Sequence, residues 1–255
     1  MVKNSGGIVQ LENKTAVVTG GGTGIGLAIA KRFAAEGAHV FITGRRKEVL
    51  DAAVEEIGDG VEAIRADSSK LADLDAVYRV VAERGRGLDV LVANSGGGEF
   101  APLGEITEEQ FDTTFGTNVK GVLFAVQKAL PLLNGNASII LTGSTTSTRV
   151  SPAFSVYAAT KAAVRNFARS WALDLKGTGT RVNVLSPGPT LTPGLLGLVP
   201  DEGQQALVDG LQAEVPLGRM GDPAEIAAAA LFLASSEASF VNGVEFFVDG
   251  GQAQV

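Results

Sequence analysis

The chain contains no cysteine. Disulfides, thiolate zinc sites and a cysteine nucleophile are thereby excluded, while the compartment stays open, because a cysteine-free protein works anywhere. Histidine is almost missing. His39 stands alone at the head of the apolar run His39-Val-Phe-Ile-Thr43, where a structural place at a strand start is expected. A histidine-rich metal site has no ligands to draw on, and a Ser-His-Asp triad would rest on His39 alone. No metal is expected, and proton chemistry falls to tyrosine, lysine or carboxylates. Also missing is any apolar run near the ~20 residues that cross a bilayer. Met1-Val-Lys-Asn-Ser-Gly-Gly7 has no hydrophobic leader core either, so a soluble cytoplasmic protein without membrane contact is the expectation. The formal charge is −7 and there is no basic stripe, which argues against nucleic acid. No Pro/Ser-rich linker, charge block or short repeat divides the 255 residues, and 45% apolar composition is ample for a sizeable core. A single domain over residues 1–255 is expected.

What is present is concentrated chemistry. Ser144, Tyr157 and Lys161 stand in the pattern Ser-x12-Tyr-Ala-Ala-Thr-Lys. Tyr157 and Lys161 are four apart, so on a helix they share a face one turn apart. A cation there stabilises a tyrosinate and lowers a phenol pKa that starts near ~10, which lets tyrosine exchange protons at neutral pH. An exposed helix face is the plain alternative for this pair. Upstream, the apolar run Thr15–Thr19 is followed by Gly20-Gly-Gly-Thr23-Gly24-Ile25-Gly26 and then a helical pattern. Strand, glycine turn and helix in that order aim backbone N–H groups at a pyrophosphate. The spacing is Gly-x-x-x-Gly-x-Gly, and glycines also serve any tight strand-to-helix turn.

Short apolar runs alternate with amphipathic stretches throughout. Strands are predicted at Thr15–Thr19, His39–Thr43, Val61–Ala66, Val90–Asn94, Ser138–Thr142, Arg181–Leu185 and Val244–Val248. With helices between them, this predicts an α/β fold with a parallel sheet covered on both faces. Thr107-Glu-Glu-Gln110 reads as a capping box opening one long helix towards Leu133, and Asp222-Pro-Ala-Glu225 as another with proline at the first helical position. Ligands on such sheets sit beyond the carboxyl ends of the strands. The glycine loop, Arg45, Asp67, Asn94–Gly96, Ser144 and Pro187-Gly188 each follow a predicted strand, so all fall on one edge of the sheet.

On these motifs the sequence resembles the short-chain dehydrogenase/reductase family, in its compact single-domain branch. The motifs are Thr19–Gly26, Asn94-Ser-Gly96, Asn118-Val-Lys-Gly121, Ser144, Tyr157-Ala-Ala-Thr-Lys161 and Pro187-Gly188, and the likeness runs from about Lys14 to Gly251. One departure is visible. The family usually reads Asn-Asn-Ala-Gly after the fourth strand, where this chain has Ala93-Asn94-Ser95-Gly96. The resemblance implies a Rossmann-type doubly wound seven-stranded sheet in the order 3-2-1-4-5-6-7. It also implies an oxidoreductase that moves hydride between a nicotinamide cofactor and a carbonyl or carbinol carbon.

Roles follow from the same resemblance. Tyr157 would be the acid in carbonyl reduction and the base in alcohol oxidation. Lys161 would lower the phenol pKa and hold the nicotinamide ribose, and Ser144 would donate to the oxygen where charge develops. Asn118 would hold a water that passes protons to the lysine. Gly20, Thr23, Gly24, Ile25 and Gly26 would face the pyrophosphate, Asp67 with Ser68 the adenine, and Asn94 with Gly96 would let the cofactor pass close to backbone. Pro187, Gly188, Thr190 and Thr192 would run beside the nicotinamide, with Thr192 in reach of a phosphate. Turn, cap and packing roles remain open for Ser144, Asp67, Asn118 and the Pro-Gly stretch.

The end of the second strand reads Ile42-Thr-Gly-Arg45-Arg46, with no acid to accept ribose hydroxyls and two guanidinium groups to grip a 2′-phosphate. NADP(H) rather than NAD(H) is expected, although Thr23 stands where many NADP-dependent relatives carry a second basic residue. Pro187–Pro200 carries no charge, and Phe154 lies one turn before Tyr157, which suggests a neutral apolar ketone or alcohol as substrate. A 3-oxoacyl thioester on a carrier protein is the alternative, along with a cofactor-binding regulator that would lack the Tyr/Lys pair. A halohydrin dehalogenase type is opposed by Lys161 and the intact glycine loop. A homotetramer is expected, because Phe240–Gly251 resembles the strand that packs across a twofold axis and Thr107–Leu133 and Phe154–Lys176 resemble the helices of the other interface.

Overall fold

Short apolar runs without alternation suit strands buried on both faces, and such strands form here. The computed structural model describes residues 9–255. Its strands are β1 (Thr15–Thr19), β2 (His39–Gly44), β3 (Val61–Arg65), β4 (Leu88–Ala93), β5 (Leu133–Thr142), β6 (Arg181–Pro187) and β7 (Glu245–Val248). They make one sheet in the order β3-β2-β1-β4-β5-β6-β7, and every neighbouring pair is parallel. This is the doubly wound order that was expected, with the crossover away from β1 leaving a crevice above β1 and β4. The helices are α1 (Gly24–Ala35), α2 (Lys47–Ile57), α3 (Leu71–Glu83), α4 (Glu108–Phe115), α5 (Val122–Ala129), α6 (Ser155–Asp174), α7 (Pro193–Leu196), α8 (Gln204–Ala213) and α9 (Pro223–Ala234).

Adjacent strand residues point to opposite faces, and the core divides accordingly. Val18 joins Ile29, Phe33, Ile226 and Leu231 under α1 and α9, while Val17 joins Val77, Val81, Val126 and Val164 under α3, α5 and α6. Phe33 is fully buried, a contribution of roughly 1.5–3 kcal/mol for a side chain of that size. His39 heads β2 and lies edge-on to Phe41 at 4.9 Å.

Two expectations need correction. The helix predicted from Thr107 to Leu133 is broken: α4 gives way to a π-helical turn at Gly116–Gly121, then α5, then a 3-10 turn at Leu130–Leu132, and Leu133 already belongs to β5. Glycine at both ends of the turn weakens the α-helix there. A Cβ on Gly121 would lie 2.9 Å from the Ser68 carbonyl oxygen, so the turn packs closer to the loop after β3 than an alanine allows. The capping box at Thr107 is only half made. Thr107 Oγ1 accepts from the Gln110 N–H at 3.1 Å, but the Gln110 side chain donates to the Glu99 carbonyl instead of returning to the cap. The box at Asp222 is complete, with Asp222 accepting from the Ala224 N–H and Glu225 accepting from the Asp222 N–H. Among the described residues no helix is long and apolar enough to cross a membrane. The expectation for Met1–Gly7 lies outside the described residues.

Candidate active site

The crevice begins where β1 turns into α1. Gly20 and Gly24 adopt φ of +66° and +55°, a region that L side chains rarely enter. A Cβ on Gly26 would sit 2.2 Å from the Gly20 carbonyl oxygen and 2.6 Å from Asn94 Nδ2, so only glycine lets α1 start this close to the strand ends. Asn94 in turn holds the loop. Its Nδ2 donates to the Thr19 and Gly20 carbonyls, and the N–H groups of Asn94 and Ser95 donate to Thr19 Oγ1. The first turn of α1 has no acidic residue, and the Thr23 side chain makes no capping hydrogen bond. Its N–H groups are therefore left for an anion. Thr192 closes over this turn, its Cβ 3.3 Å from where a Gly24 Cβ would be, while its Oγ1 caps α7.

Around the crevice the strand ends contribute in order. Arg45 follows β2, its carbonyl accepting from Arg65 Nε at 3.0 Å. The Asp67 carboxylate accepts from the Ser69 N–H and hydroxyl. Burial pushes its pKa up, but these hydrogen bonds, with Arg45 and Lys70 nearby, bring it below the ordinary aspartate value. Ser68 is buried and donates to Ser95 Oγ at 2.9 Å, which gives the unusual serine of Asn94-Ser95-Gly96 a partner. Beyond β6, Gly188 donates its N–H to the Val248 carbonyl, and a Cβ there would fall 2.6 Å from Asp249 Cα. Thr190 pairs with Gly221 and donates its hydroxyl to the Gly188 carbonyl.

Tyr157 and Lys161 lie on α6, with Lys161 Nζ 5.4 Å from the tyrosine ring centre. The amine donates to the Thr142 carbonyl at 2.8 Å. Burial brings the lysine down to about 8. It also pushes the phenol up to about 12, against the pull of a hydrogen bond with Ser144. The expected lowering of the phenol is thus not seen here. Desolvation of a tyrosinate outweighs the Ser144 hydrogen bond that favours it. Asn118 occupies the π-helical turn, accepting from the Gly97 N–H and donating to the Gly97 carbonyl and to Thr160 Oγ1. A π-turn shifts such a side chain by one residue relative to an α-helix, a device common at functional sites.

Every residue expected to build the site lines one cleft of about 700 Å³: the glycine loop, Arg45, Asp67, Ser68, Asn94, Gly96, Asn118, Ser144, Tyr157, Lys161, Pro187, Gly188, Thr190 and Thr192. His39 does not. Among the described residues no group of three or more His, Asp or Glu side chains is arranged to hold a metal. The loop whose Gly20, Gly24 and Gly26 positions exclude a side chain, the free N–H groups of α1 and the cation after β2 fit a nicotinamide dinucleotide.

Gly98 and Phe100 line the cleft with little sequence signal, whereas Phe154 stood out as a ring one turn before Tyr157. A Cβ on Gly98 would lie 2.6 Å from Tyr157 Cδ2, so this glycine makes room for the tyrosine ring. The Phe154 ring stacks on Tyr157 at 4.5 Å, and Phe100 lies tilted against Phe154 at 4.7 Å. Ala153, at φ +58°, turns the chain into this stack while its carbonyl accepts from the Ala101 N–H. The run Gly96-Gly-Gly98 was the available hint, since consecutive glycines after a strand mark close backbone approach. The far end of the cleft is apolar, with Leu195, Leu198, Leu207 and Leu211, and has a polar rim of Arg149, Glu214 and Gln252.

Comparison with known proteins gives consistent findings. A family model described as enoyl-(acyl carrier protein) reductase matches residues 20–253. The oxidoreductase asL5 of Sarocladium schorii is 51% identical over 97% of this chain and 99% of its own length. The 3-oxoacyl-[acyl-carrier-protein] reductase FabG of Thermotoga maritima is 35% identical over 95% of this chain and 99% of its own. A crystal structure from Brucella melitensis, a short-chain dehydrogenase/reductase of glucose/ribitol dehydrogenase type, superposes with a TM-score of 0.91 at 34% identity, covering 96% of this chain and 99% of that one.

Proposed function

The chain belongs to the short-chain dehydrogenase/reductase family, and from that premise we propose that it is an NADP(H)-dependent carbonyl reductase with Tyr157 as proton donor. The nicotinamide, when bound, supplies the hydride that becomes the new C–H bond of the alcohol. The chain supplies the rest. Ser144 donates to the carbonyl oxygen as charge builds on it. Tyr157 gives that oxygen its phenolic proton, and the positive charge of Lys161 holds down the tyrosinate left behind. With a resting phenol at about 12, the tyrosine keeps its proton until the oxygen calls for it. Asn118 fixes the Gly97 backbone beside this group. In the oxidation direction the same residues act in reverse.

The observation that carries this reading is the convergence of Ser144, Tyr157, Lys161 and Asn118 with the glycine loop in one cleft. A regulator that only sensed the cofactor would have no use for a half-buried Tyr157 beside a buried Lys161. Preference for NADP(H) rests on Arg45, which borders the cleft after β2 where no carboxylate stands to repel a 2′-phosphate. The substrate is proposed to be a neutral ketone seated against Leu195, Leu198, Leu207 and Leu211. A second reading, a 3-oxoacyl thioester, is supported by the likeness to the Thermotoga maritima reductase, while the −7 charge offers an acidic carrier protein little attraction. The chain is further proposed to act as one unit and to assemble as a homotetramer. Phe240 is fully exposed and Leu173 is 76% exposed, surface that a neighbouring copy would cover.

Incubation with NADPH or NADH and a panel of neutral ketones, followed by absorbance loss, tests the proposal. Turnover with higher kcat/KM for NADPH is expected, and Arg45→Ala should raise the KM for NADPH about tenfold while leaving that for NADH nearly unchanged. A higher kcat/KM with NADH in the unmutated protein would reverse the assignment.

A further inference from the structure

Three segments distant in sequence meet beside Ser144. The first is the 3-10 turn Thr145–Ser147, which begins immediately after the serine. The second is Glu214, which ends α8 and so terminates the helix carrying Leu207 and Leu211 into the cleft. The third is the turn after β7, where Gln252 is 5% exposed. The Gln252 side chain joins the other two. Thr145 Oγ1 donates to Gln252 Oε1 at 3.0 Å, and Gln252 Nε2 donates to Glu214 Oε2 at 3.1 Å. Arg149 closes the group, donating to the Gln252 carbonyl at 2.9 Å with its other nitrogen 3.6 Å from the Glu214 carboxylate.

A primary amide is well matched to this place. It offers one acceptor to a hydroxyl and one donor to a carboxylate, and neither a hydrocarbon nor a charged side chain does both. Its backbone is fixed independently. The Asp249 carboxylate accepts from the N–H groups of Gly251 and Ala253, and the Gln252 N–H donates to the Asp249 carbonyl. Gly250 packs so closely on Val215 that a Cβ would fall 2.5 Å from its Cγ1. The tail is thus a rigid mount, and the amide is the link. By contrast α8 contains no buried residue of its own among those described, so its position depends on such attachments.

We propose that Gln252 is a positioning residue whose amide ties the end of α8 to the turn carrying Ser144, so that the apolar wall and the serine hydroxyl are set together. This rests on the carbonyl reductase reading. Removing the amide leaves the Thr145 hydroxyl without its acceptor and the Glu214 carboxylate held only by Arg149 at 3.6 Å, which loosens the two walls.

The test combines kinetics, cofactor binding and hydrogen exchange on the full chain. Gln252→Leu should raise the ketone KM about tenfold and lower kcat several-fold, with the NADPH Kd from fluorescence titration kept within about twofold. Gln252→Glu should be as impaired, since it sets two carboxylates against each other. The double variant Gln252→Glu with Glu214→Gln exchanges donor and acceptor and should recover most of the loss, a coupling that a merely structural defect would not show. Exchange in Gln252→Leu should quicken in 204–214 and 143–149 together. If the unmutated protein binds NADPH but reduces no carbonyl, the functional reading fails, and exchange alone decides whether the link exists. Absence of rescue in the double variant, or exchange that quickens only in the tail or evenly across the chain, would overturn the proposal.

Discussion

The two ends of the cleft are built in opposite ways. At the cofactor end position is imposed by backbone: Gly26 lies where a Cβ would be 2.2 Å from a carbonyl oxygen, and Asn94 stitches β1, β4 and the loop together with hydrogen bonds. At the substrate end α7 and α8 bury no residue fully among those described, and their Leu195, Leu207 and Leu211 line the cleft. One end tolerates almost no change, and the other is free to vary in shape. A fold can thus keep one cofactor chemistry while its substrate wall is redrawn.

The contrast can be broken most severely at Gly26. Gly26→Ala drives a methyl into backbone that cannot yield, so NADPH affinity should fall at least about a hundredfold or the chain should fail to fold, by fluorescence titration and thermal melting. Affinity within threefold of the unmutated protein would mean that the loop is softer than its distances imply.

A smaller effect is expected at Lys161, where the two ends meet. Its pKa is brought down to about 8 by burial, whereas Tyr157 stays protonated until about 12. For carbonyl reduction kcat/KM should therefore fall as pH rises through about 8, because the lysine loses its charge there while the proton to be delivered is still in place. Arginine does not titrate in this range, so the activity left in Lys161→Arg should lack that descending limb. A limb that persists in the variant would assign the titration to another group.

The smallest change belongs to the substrate wall. Leu211→Ala should leave NADPH affinity and melting temperature almost unchanged, since the residue is not fully buried, and should shift the ketone KM by roughly 3- to 10-fold, the range that one lost apolar contact allows. An equal loss with NADPH binding would erase the distinction between the two ends.

The same division governs what could be read in advance. The strands, the glycine loop and the residues along the carboxyl edge were legible because each depends on local spacing: a glycine cluster between an apolar run and a helical pattern, or a lysine one turn from a tyrosine. The strand order came only with the family resemblance. The break in the helix at Gly116–Gly121 was not, since one extra residue in a turn hardly disturbs an amphipathic pattern, and its cause lies in contacts with Ser68, Gly97 and Thr160. Gly98 against the Tyr157 ring and Gln252 between Thr145 and Glu214 are long-range fits with no spacing to announce them. The raised phenol was missed for a related reason. A lysine four residues away is visible in the sequence, while the burial that raises the phenol belongs to the folded chain.

The central claim is that Tyr157 delivers the proton, and Tyr157→Phe tests it most directly by removing one oxygen and leaving the ring that packs against Phe154 and Gly98. Single-turnover reduction of a neutral ketone by the NADPH-loaded variant should fall at least about a thousandfold, in the range that general acid catalysis contributes, with the NADPH Kd unchanged within about twofold. Retention of more than a tenth of the unmutated rate would contradict the account.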